Sequence, residues 1–319
     1  MNTSALPRLA LIAGPTASGK SALALALAER TGGTIINADS AQVYRDLRIV
    51  TARPSPEEEA RAPHRLFGHV DAADTGYSAA RWATEARAAI ATVHAAGGLP
   101  ILVGGTGLYL RTLIDGIAPI PPIDGAIREA VRALPVAEAY AALSIEDPPA
   151  AAALAPGDTA RVARALEVIR ATGRPIGAWR AEHSGGIGAA VALDAIILLP
   201  ARAWLDARIA RRFAAMLDAG ACAEVAALLD RRDVPDTAPI RRAIGVSELA
   251  QHHDGLLSLD EAAVRAVQAS RRYAKRQSTW FRNQPPAGWH RITESQNYSA
   301  ATIIDIFFQT TVDGAAGQG

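Results

Sequence analysis

Short apolar runs alternate along the chain with longer amphipathic segments. Four runs have the length of buried strands, at residues 9–13, 34–37, 100–103 and 195–199. A helical segment follows the first run over 21–29, and another precedes the third run over 81–96, where Gly97-Gly98 ends it. Buried strands that alternate with helices predict an α/β fold, a parallel sheet wrapped by helices that binds ligands at the carboxyl ends of its strands.

The stretch between the third and fourth runs has a different character. Residues 119–189 are interrupted by Pro, follow a helical pattern and contain no run of the core strand type. We predict an all-helical insertion over 119–189 in a catalytic core formed by 1–118 and 190–290. After the fourth run the chain is predicted helical to about residue 282. Residues 291–319 are predicted to form a C-terminal tail that is partly disordered.

Composition narrows the class of protein. The 319 residues carry a net charge of +1, half of them are hydrophobic, and Cys222 is the single cysteine, so no internal disulfide can form. No apolar run approaches the ~20 residues of a membrane helix, and the first apolar run is better used as a strand than as a signal segment. The seven His show no metal-ligand spacing. We expect a cytoplasmic protein with no membrane partner.

A phosphate-binding loop follows the first strand. The segment fits G-x-x-x-x-G-K-[ST] without a mismatch and comprises Gly14, Pro15, Thr16, Ala17, Ser18, Gly19, Lys20 and Ser21. Such a loop directs its backbone N–H groups, and the N-terminus of the helix that follows, at a phosphate. Lys20 would supply a positive charge, and the Ser21 hydroxyl could bind Mg2+. Lys20 is one of only two Lys beside 31 Arg. The alternative is a Gly-rich turn that only joins a strand to a helix.

A second polar segment follows the second strand. Asp39 is followed by Ser40-Ala41-Gln42-Val43-Tyr44, which could recognise a base edge and accept a proton from it. Asp39 or Ser40 could instead cap the next helix. The third strand runs into Gly104-Gly105-Thr106-Gly107 and lacks the acid that a P-loop kinase places there to hold Mg2+.

A basic helix is the third signal. Residues 262–293 contain no Asp or Glu. At about 100° per residue one arc collects Arg265, Arg272, Lys275, Arg276, Thr279 and Arg282, opposite Tyr273, Ala274, Trp280 and Phe281. Such a positive stripe is typical of a surface that binds a nucleic-acid backbone, and a solvated face is the alternative. Two smaller sets, Arg161 with Arg164 and Arg208 with Arg212, could each bind phosphate or be surface charge.

These features together resemble one family, the tRNA dimethylallyltransferases (tRNA isopentenyltransferases). The resemblance covers about residues 8–290. The segments that carry it are residues 14–21, Asp39-Ser40-Ala41-Gln42-Val43-Tyr44, Thr51-Ala52-Arg53-Pro54, Gly104-Gly105-Thr106-Gly107-Leu108-Tyr109, residues 161–168, and Tyr273-Ala274-Lys275-Arg276-Gln277 with Thr279-Trp280-Phe281-Arg282.

The resemblance implies a P-loop NTPase-like fold and a reaction. Such enzymes move a dimethylallyl group from its diphosphate to N6 of the adenosine 3′ to the anticodon, using Mg2+ and a flipped-out base. By this resemblance Asp39 is the base and Thr106 contacts the nucleotide. Residues 14–21 bind the diphosphate with help from Arg212, and Ser21 shares Mg2+ with it.

The resemblance also implies an RNA surface for the anticodon stem-loop. The helical insertion would grip the stem from one side and the basic helix from the other, and a monomer is expected. The implied tRNA-binding residues are Asp39, Ser40, Ala41, Gln42, Thr106, Arg128, Ala160, Arg161, Val162, Ala163, Arg164, Arg242, Gly245, Arg272, Lys275, Arg276, Gln277, Thr279, Trp280 and Arg282.

Three positions depart from the family pattern. Ala160 stands where the family usually has Gln, and Val50 where it usually has Gly. After Gly245 this chain has Val246-Ser247, where the family more often has Tyr and then a long polar residue. Three alternatives stay open at this point: a small-molecule kinase, a prenyltransferase acting on free adenine nucleotide, and a non-enzymatic RNA-binding protein.

Overall fold

The computed structural model describes residues 5–294 and 299–305. Its centre is a six-stranded sheet with the order β3-β2-β4-β1-β5-β6, in which every pairing is parallel. The α/β fold with a parallel sheet is therefore confirmed. The strands are β1 Arg8–Ala13, β2 Thr34–Asn37, β3 His64–Arg65, β4 Pro100–Gly104, β5 Ala192–Leu198 and β6 His290–Ile292.

The four apolar runs form β1, β2, β4 and β5, and the two edge strands were missed. β3 has two residues and β6 has three, and both begin with the polar residue His, so neither shows an apolar run. β6 spans His290–Ile292, so it crosses the predicted boundary between the core, which ends at residue 290, and the tail, which starts at residue 291. Ile303 and Ile304 are also buried in the main core cluster, so this part of the predicted tail belongs to the folded domain. Residues 295–298 and 306–319 lie outside the described residues.

Helices surround the sheet and make up the insertion. They are α1 Lys20–Thr31, α2 Pro56–Arg61, α3 Ala79–Ala95, α4 Gly107–Ile114, α5 Gly125–Ala133, α6 Val136–Glu146, α7 Pro148–Ala152, α8 Thr159–Thr172, α9 Ile176–Arg180, α10 Arg202–Asp218, α11 Ala221–Leu229, α12 Val246–His253 and α13 Leu259–Asn283. Short 3₁₀ turns occur at Gly188–Ala190 and Pro239–Arg242. Among the described residues no helix is both long enough and apolar enough to cross a membrane.

The chain divides into two compact units, one formed by Met1–Leu110 with Gly188–Gly319 and one by Arg111–Ile187. In the sheet unit, alternate side chains of β1, β4 and β5 pack against α1; Ile12, Val103, Ile196 and Leu27 are all within a few per cent of complete burial. Close packing of these apolar side chains removes them from water and fixes the strand ends where ligands bind.

The helical unit has its own apolar core, centred on Val162, Leu166 and Leu143, each 0% exposed. It also buries Glu167, which is 1% exposed. The carboxylate accepts a hydrogen bond from Arg132 Nε at 2.9 Å and lies 3.5 Å from Arg164 Nη1, so the buried charge is paired.

Candidate functional site

The phosphate loop connects β1 to α1, as the motif predicts. Its Ser18 Oγ is buried and has no hydrogen-bond partner among the described residues. Gly19 precedes α1 in a left-handed conformation, with φ 96°, and no side chain caps the first turn of the helix. Backbone donors and a buried hydroxyl are therefore left for an anionic ligand, which is the arrangement that a helix N-terminus offers to phosphate.

Lys20 and Arg212 place two cations at this loop, with Asp39 close enough to interact with both. Burial is the main cause that lowers the pKa of Lys20 to about 8; Arg212 lowers it further, and the Asp39 carboxylate acts against them. Burial also lowers the pKa of Arg212, which donates a hydrogen bond to Thr16 Oγ1. Two poorly hydrated cations beside one carboxylate make a site that gains from binding a further anion.

Asp39 lies in a tight turn after β2. Its N–H donates to Asn37 Oδ1 at 2.8 Å, and its own Oδ1 accepts from the N–H of Ala41 at 3.0 Å. The alternative that Asp39 or Ser40 caps the next helix is wrong, because residues 40–43 form no helix; the Asp39 side chain instead closes a turn. Asp39 also lines the cleft described below.

Thr106, in the loop after β4, joins the loop after β2. Thr106 Oγ1 accepts from the N–H of Ser40 at 3.0 Å and donates to Ser40 Oγ at 3.2 Å. The predicted nucleotide-contacting threonine and the residue next to the predicted base are thereby held together. Tyr273 of α13 lies at the same place, and its pKa is raised by burial and by the nearby Asp39 carboxylate.

Gln277 links α13 to the phosphate loop and to the loop after β4 by hydrogen bonds. Its Oε1 accepts from the N–H of Thr16 at 2.8 Å, and its Nε2 donates to the carbonyl of Gly105 at 2.9 Å. Only glycine fits at two positions beside it: an added Cβ would lie 2.3 Å from Gln277 Nε2 at position 105 and 2.4 Å from the Trp280 ring at position 107. The Gly-rich motif thus allows α13 to approach the strand ends.

The prediction that Gln277 binds RNA is therefore wrong for its side chain. Gln277 is 5% exposed and both ends of its amide are used inside the protein. Its spacing carried the signal that was overlooked, because Gln277 lies one helical turn from the buried Ala274 and Phe281.

A cleft of about 460 Å³ opens in front of these groups. The polar residues that line it include Thr16, Asp39, Ser40, Thr106, Arg212 and Tyr273. The apolar residues that line it, called the apolar wall below, include Val50, Ile209, Phe213, Met216, Ile240 and Ile244, and no sequence motif indicated them. A cleft lined by both kinds of side chain can hold a ligand that joins a charged head to a hydrocarbon group.

The other residues predicted from the second strand have mixed roles. Ser40 and Ala41 line the cleft, as does the exposed Arg242. Gln42 does not: its Nε2 donates to the carbonyls of Thr51 and Ala52, each at 2.9 Å, so this end of the amide holds a neighbouring turn.

The positive face of α13 is on the surface, as predicted. Arg265, Arg272, Lys275, Arg276, Thr279 and Arg282 are exposed, whereas Ala274, Gln277, Ser278 and Phe281 are buried. Trp280 is partly buried, and together with Arg272, Lys275 and Thr279 it lines a shallow groove of about 610 Å³. The described part of the chain therefore presents a cationic strip with an aromatic ring in it, a surface suited to a nucleic-acid backbone.

Within the helical unit the predicted RNA-binding residues differ in their exposure to solvent. Arg128, Ala160 and Arg161 are exposed, and Arg161 pairs with Asp158 at 3.3 Å. Ala163 is partly buried, and Arg164 is partly buried beside Glu167. Val162 is 0% exposed in the core of the unit, so its predicted contact with RNA is wrong for the side chain.

Residues that could hold a metal are few. Within 5–294 and 299–305 no group of His, Cys, Asp or Glu side chains is arranged to hold a metal ion. Ser21 is exposed in the first turn of α1, three positions after Ser18, whose buried hydroxyl is unpaired. A hydroxyl that directly follows the loop Lys fits Mg2+ that is shared with substrate phosphates, as in other P-loop proteins.

A parallel sheet with a phosphate loop at its carboxyl edge, beside a carboxylate in a two-sided cleft, defines a P-loop α/β protein. Comparison with known proteins specifies the class further. Residues 42–284 match the model of the IPP transferase family. A tRNA dimethylallyltransferase of Sphingopyxis alaskensis is 58% identical over 305 residues, covering 95% of this chain and 99% of the relative. One of Erythrobacter litoralis is 55% identical over 308 residues, covering 95% and 96%.

Comparison with solved structures indicates the same family. A tRNA isopentenylpyrophosphate transferase of Bacillus halodurans is 35% identical with a TM-score of 0.69, covering 95% of each chain. A eukaryotic dimethylallyltransferase acting on tRNA is 28% identical with a TM-score of 0.74, covering 86% of this chain and 70% of the other. The chain belongs to the tRNA dimethylallyltransferase family. This membership decides against the small-molecule kinase and the non-enzymatic alternative.

Proposed function

We propose that the protein transfers a dimethylallyl group from dimethylallyl diphosphate to N6 of the adenosine 3′-adjacent to the anticodon in tRNA, releasing pyrophosphate. One observation carries the proposal: the Asp39 carboxylate interacts with the charges of both Lys20 and Arg212, and Asp39 and Arg212 line one cleft. The two cations suit a diphosphate that gains charge as it leaves, and the carboxylate suits an amine that must lose a proton.

At the diphosphate end the chain supplies fixed donors. The loop N–H groups other than those of Thr16 and Ser18 would bind the phosphate oxygens, together with Ser18 Oγ, Lys20 and Arg212. Ser21 would hold Mg2+ together with the diphosphate, and this ion supplies further stabilisation of the leaving group's charge. Gln277 keeps the loop in place through the N–H of Thr16. The donors are therefore preorganised before the allylic C–O bond breaks.

At the acceptor end Asp39 takes the proton. The adenine N6 lone pair is delocalised into the ring, so the amine becomes a useful nucleophile only as its proton is removed. As the N6–C bond forms and the C–O bond breaks, that proton passes to the carboxylate and the electron pair leaves with pyrophosphate. Asp39 Oδ1 is held by the N–H of Ala41, and Thr106 fixes Ser40 beside it.

Acceptor choice tests the proposal directly. Labelled dimethylallyl diphosphate is incubated with unmodified tRNA, with AMP and with ATP, and the labelled product is identified. Label in the adenosine next to the anticodon supports the proposal. Label in AMP or ATP alone would establish a free-nucleotide prenyltransferase, and transfer to no acceptor would overturn both.

Diphosphate binding should weaken as the pH rises. The anion needs the Lys20 cation, whose pKa in the free protein is about 8. Affinity is thus fully present below about pH 8 and is lost above it, by up to about tenfold per pH unit, until the raised pKa of the complex is reached. Calorimetric titration with dimethylallyl diphosphate between about pH 7 and 9.5 measures this. The Lys20→Ala variant should show a flat profile, and an equal slope in both proteins would assign the titration to another group.

The basic face of α13 should contribute to RNA affinity. Replacement of Arg272, Lys275 and Arg276 together by Ala is expected to weaken anticodon stem-loop binding. Each lost phosphate contact should reduce the slope of log K against log salt by about 0.7–0.9. Turnover at saturating RNA should change little, since phosphate contacts position the RNA.

The matched control removes equal charge elsewhere. Arg61, Arg65 and Arg232 are exposed and lie outside α13. Their triple Ala variant should keep most of the affinity and slope. If both triple variants bind like the wild type, the face of α13 is only a solvated surface.

A further inference from the structure

A small cavity of about 140 Å³ lies between α10 and α13. None of residues 14–21 lines it, so it is separate from the proposed diphosphate site. Pro200, which does line it, comes two positions after the end of β5. The cavity is therefore at the carboxyl edge of the sheet, the side on which parallel α/β sheets bind ligands, and the proposed reaction does not use it.

The charges around this cavity are unbalanced. Its lining contains four cations and one acid, namely Arg202, Arg271, Lys275, Arg282 and Asp206. The Asp206 carboxylate lies 3.7 Å from Arg202 Nε and 3.9 Å from Arg271 Nε. In the described part of the chain, Lys275 and Arg282 have no ion-pair partner. One carboxylate cannot neutralise four cations, so the cavity attracts an anion.

Uncharged hydrogen-bond donors at the cavity are also unused. Ser278 lines it and is 8% exposed, and its hydroxyl has no hydrogen-bond partner among the described residues. α10 begins beside the cavity at Arg202, and its N-cap residue, Ala201, gives the first turn no side-chain hydrogen bond. The first N–H groups of such a helix remain available to an anion. A phosphate oxygen would satisfy both the hydroxyl and the helix N-terminus.

The cavity adjoins the cationic strip of α13. Lys275 and Thr279 line both the cavity and the groove that contains Trp280, so the cavity and the groove are parts of one surface. A nucleic-acid backbone that lies in the groove passes the rim of the cavity at these two side chains. Its phosphates carry the negative charge and the acceptor oxygens that the cavity lacks.

We infer, on the basis of the proposed function, that this cavity binds one backbone phosphate of the tRNA. The RNA surface thus extends from α13 onto the start of α10. It gains Arg202, Arg271 and Ser278, which the family resemblance did not imply. Free pyrophosphate offers the same chemistry as a backbone phosphate, but the shared rim with the groove favours RNA.

The test measures binding of unmodified anticodon stem-loop RNA by fluorescence anisotropy, from low to moderate salt. Replacement of Arg202 and Arg271 together by Gln should weaken binding and reduce the slope of log K against log salt by about 0.7–0.9, the value of one lost phosphate contact. Ser278→Ala removes a hydroxyl and no charge. It should weaken binding by about two- to tenfold, the usual value of one hydrogen bond, and leave the slope unchanged.

The matched control removes two charges away from the cavity. Arg211 of α10 and Arg232 are exposed and do not line it, so their double Gln variant should keep the affinity and slope of the wild type. Thermal unfolding checks each variant, and if the Arg202 and Arg271 variant fails to fold, Ser278→Ala decides the question. Wild-type affinity in the folded cavity variants, or an equal loss in the control, overturns the inference.

Calorimetric titration with pyrophosphate separates the two phosphate sources. If the cavity holds RNA, its variants should bind pyrophosphate like the wild type, because residues 14–21 are intact. Weaker pyrophosphate binding with unchanged RNA affinity would assign the cavity to the free product and overturn the RNA assignment. A wild type that transfers no prenyl group to tRNA would instead overturn the proposed function, so the two failures are distinguishable.

Discussion

Replacement of Asp39 by Ala is expected to lower the single-turnover rate of prenyl transfer by about 10²–10⁴, the usual contribution of a general base. The loss reflects the acceptor amine, which must give up its proton as the new N–C bond forms. RNA binding should weaken less, because the cationic face of α13 is unaffected. Rapid-quench measurement with enzyme in excess over RNA isolates the chemical step from product release.

Asp39→Asn separates the base from the turn. Asp39 Oδ1 accepts the N–H of Ala41 at 3.0 Å, and an Asn side chain can keep that hydrogen bond while it can no longer take a proton. Both variants should therefore be slow, while Asp39→Asn should keep wild-type stability in thermal unfolding. An Asn variant that reacts at the wild-type rate would reduce Asp39 to a turn residue.

Replacement of Lys20 should have the second-largest effect. Lys20→Met, which keeps much of the side-chain length and removes the charge, is expected to lower the transfer rate by about 10²–10³, as loss of one transition-state donor commonly does. The reason is that Lys20, whose charge interacts with that of Arg212, is the proposed partner of the leaving diphosphate. Single-turnover rates at saturating dimethylallyl diphosphate measure the effect on the chemical step.

Two further variants define the role of the loop. Ser21→Ala should lower the rate and raise the Mg2+ concentration needed for half-maximal activity, because Ser21 is the proposed protein ligand of the ion. Lys275→Met removes the other Lys of the chain and serves as the control, with weaker RNA binding and a nearly unchanged rate at saturating RNA. Unaltered transfer by Lys20→Met would remove the loop from the proposed mechanism.

Local sequence patterns determined much of the fold. The apolar runs that form β1, β2, β4 and β5 are each contiguous, and the motif of the phosphate loop lies within eight consecutive residues. Both can therefore be recognised without knowledge of distant parts of the chain. Helical periodicity, which is also a local pattern, predicted which cations of α13 are exposed. β3 and β6 could not be predicted, because two or three residues at a sheet edge are ordered by the neighbouring strand rather than by a pattern of their own.

Only the tertiary structure decided which residues that are distant in the sequence contact one another. Gln277 was placed on the RNA surface by resemblance to the family, yet its side chain accepts a hydrogen bond from the N–H of Thr16, 261 positions away in the sequence. Glu224 fixes the segment of Val50 from 174 positions away. The apolar wall of the cleft likewise combines residues of different elements. The local sequence determined which side chains could do chemistry; packing, which brings together groups with no fixed spacing along the chain, decided which of them meet in the cleft.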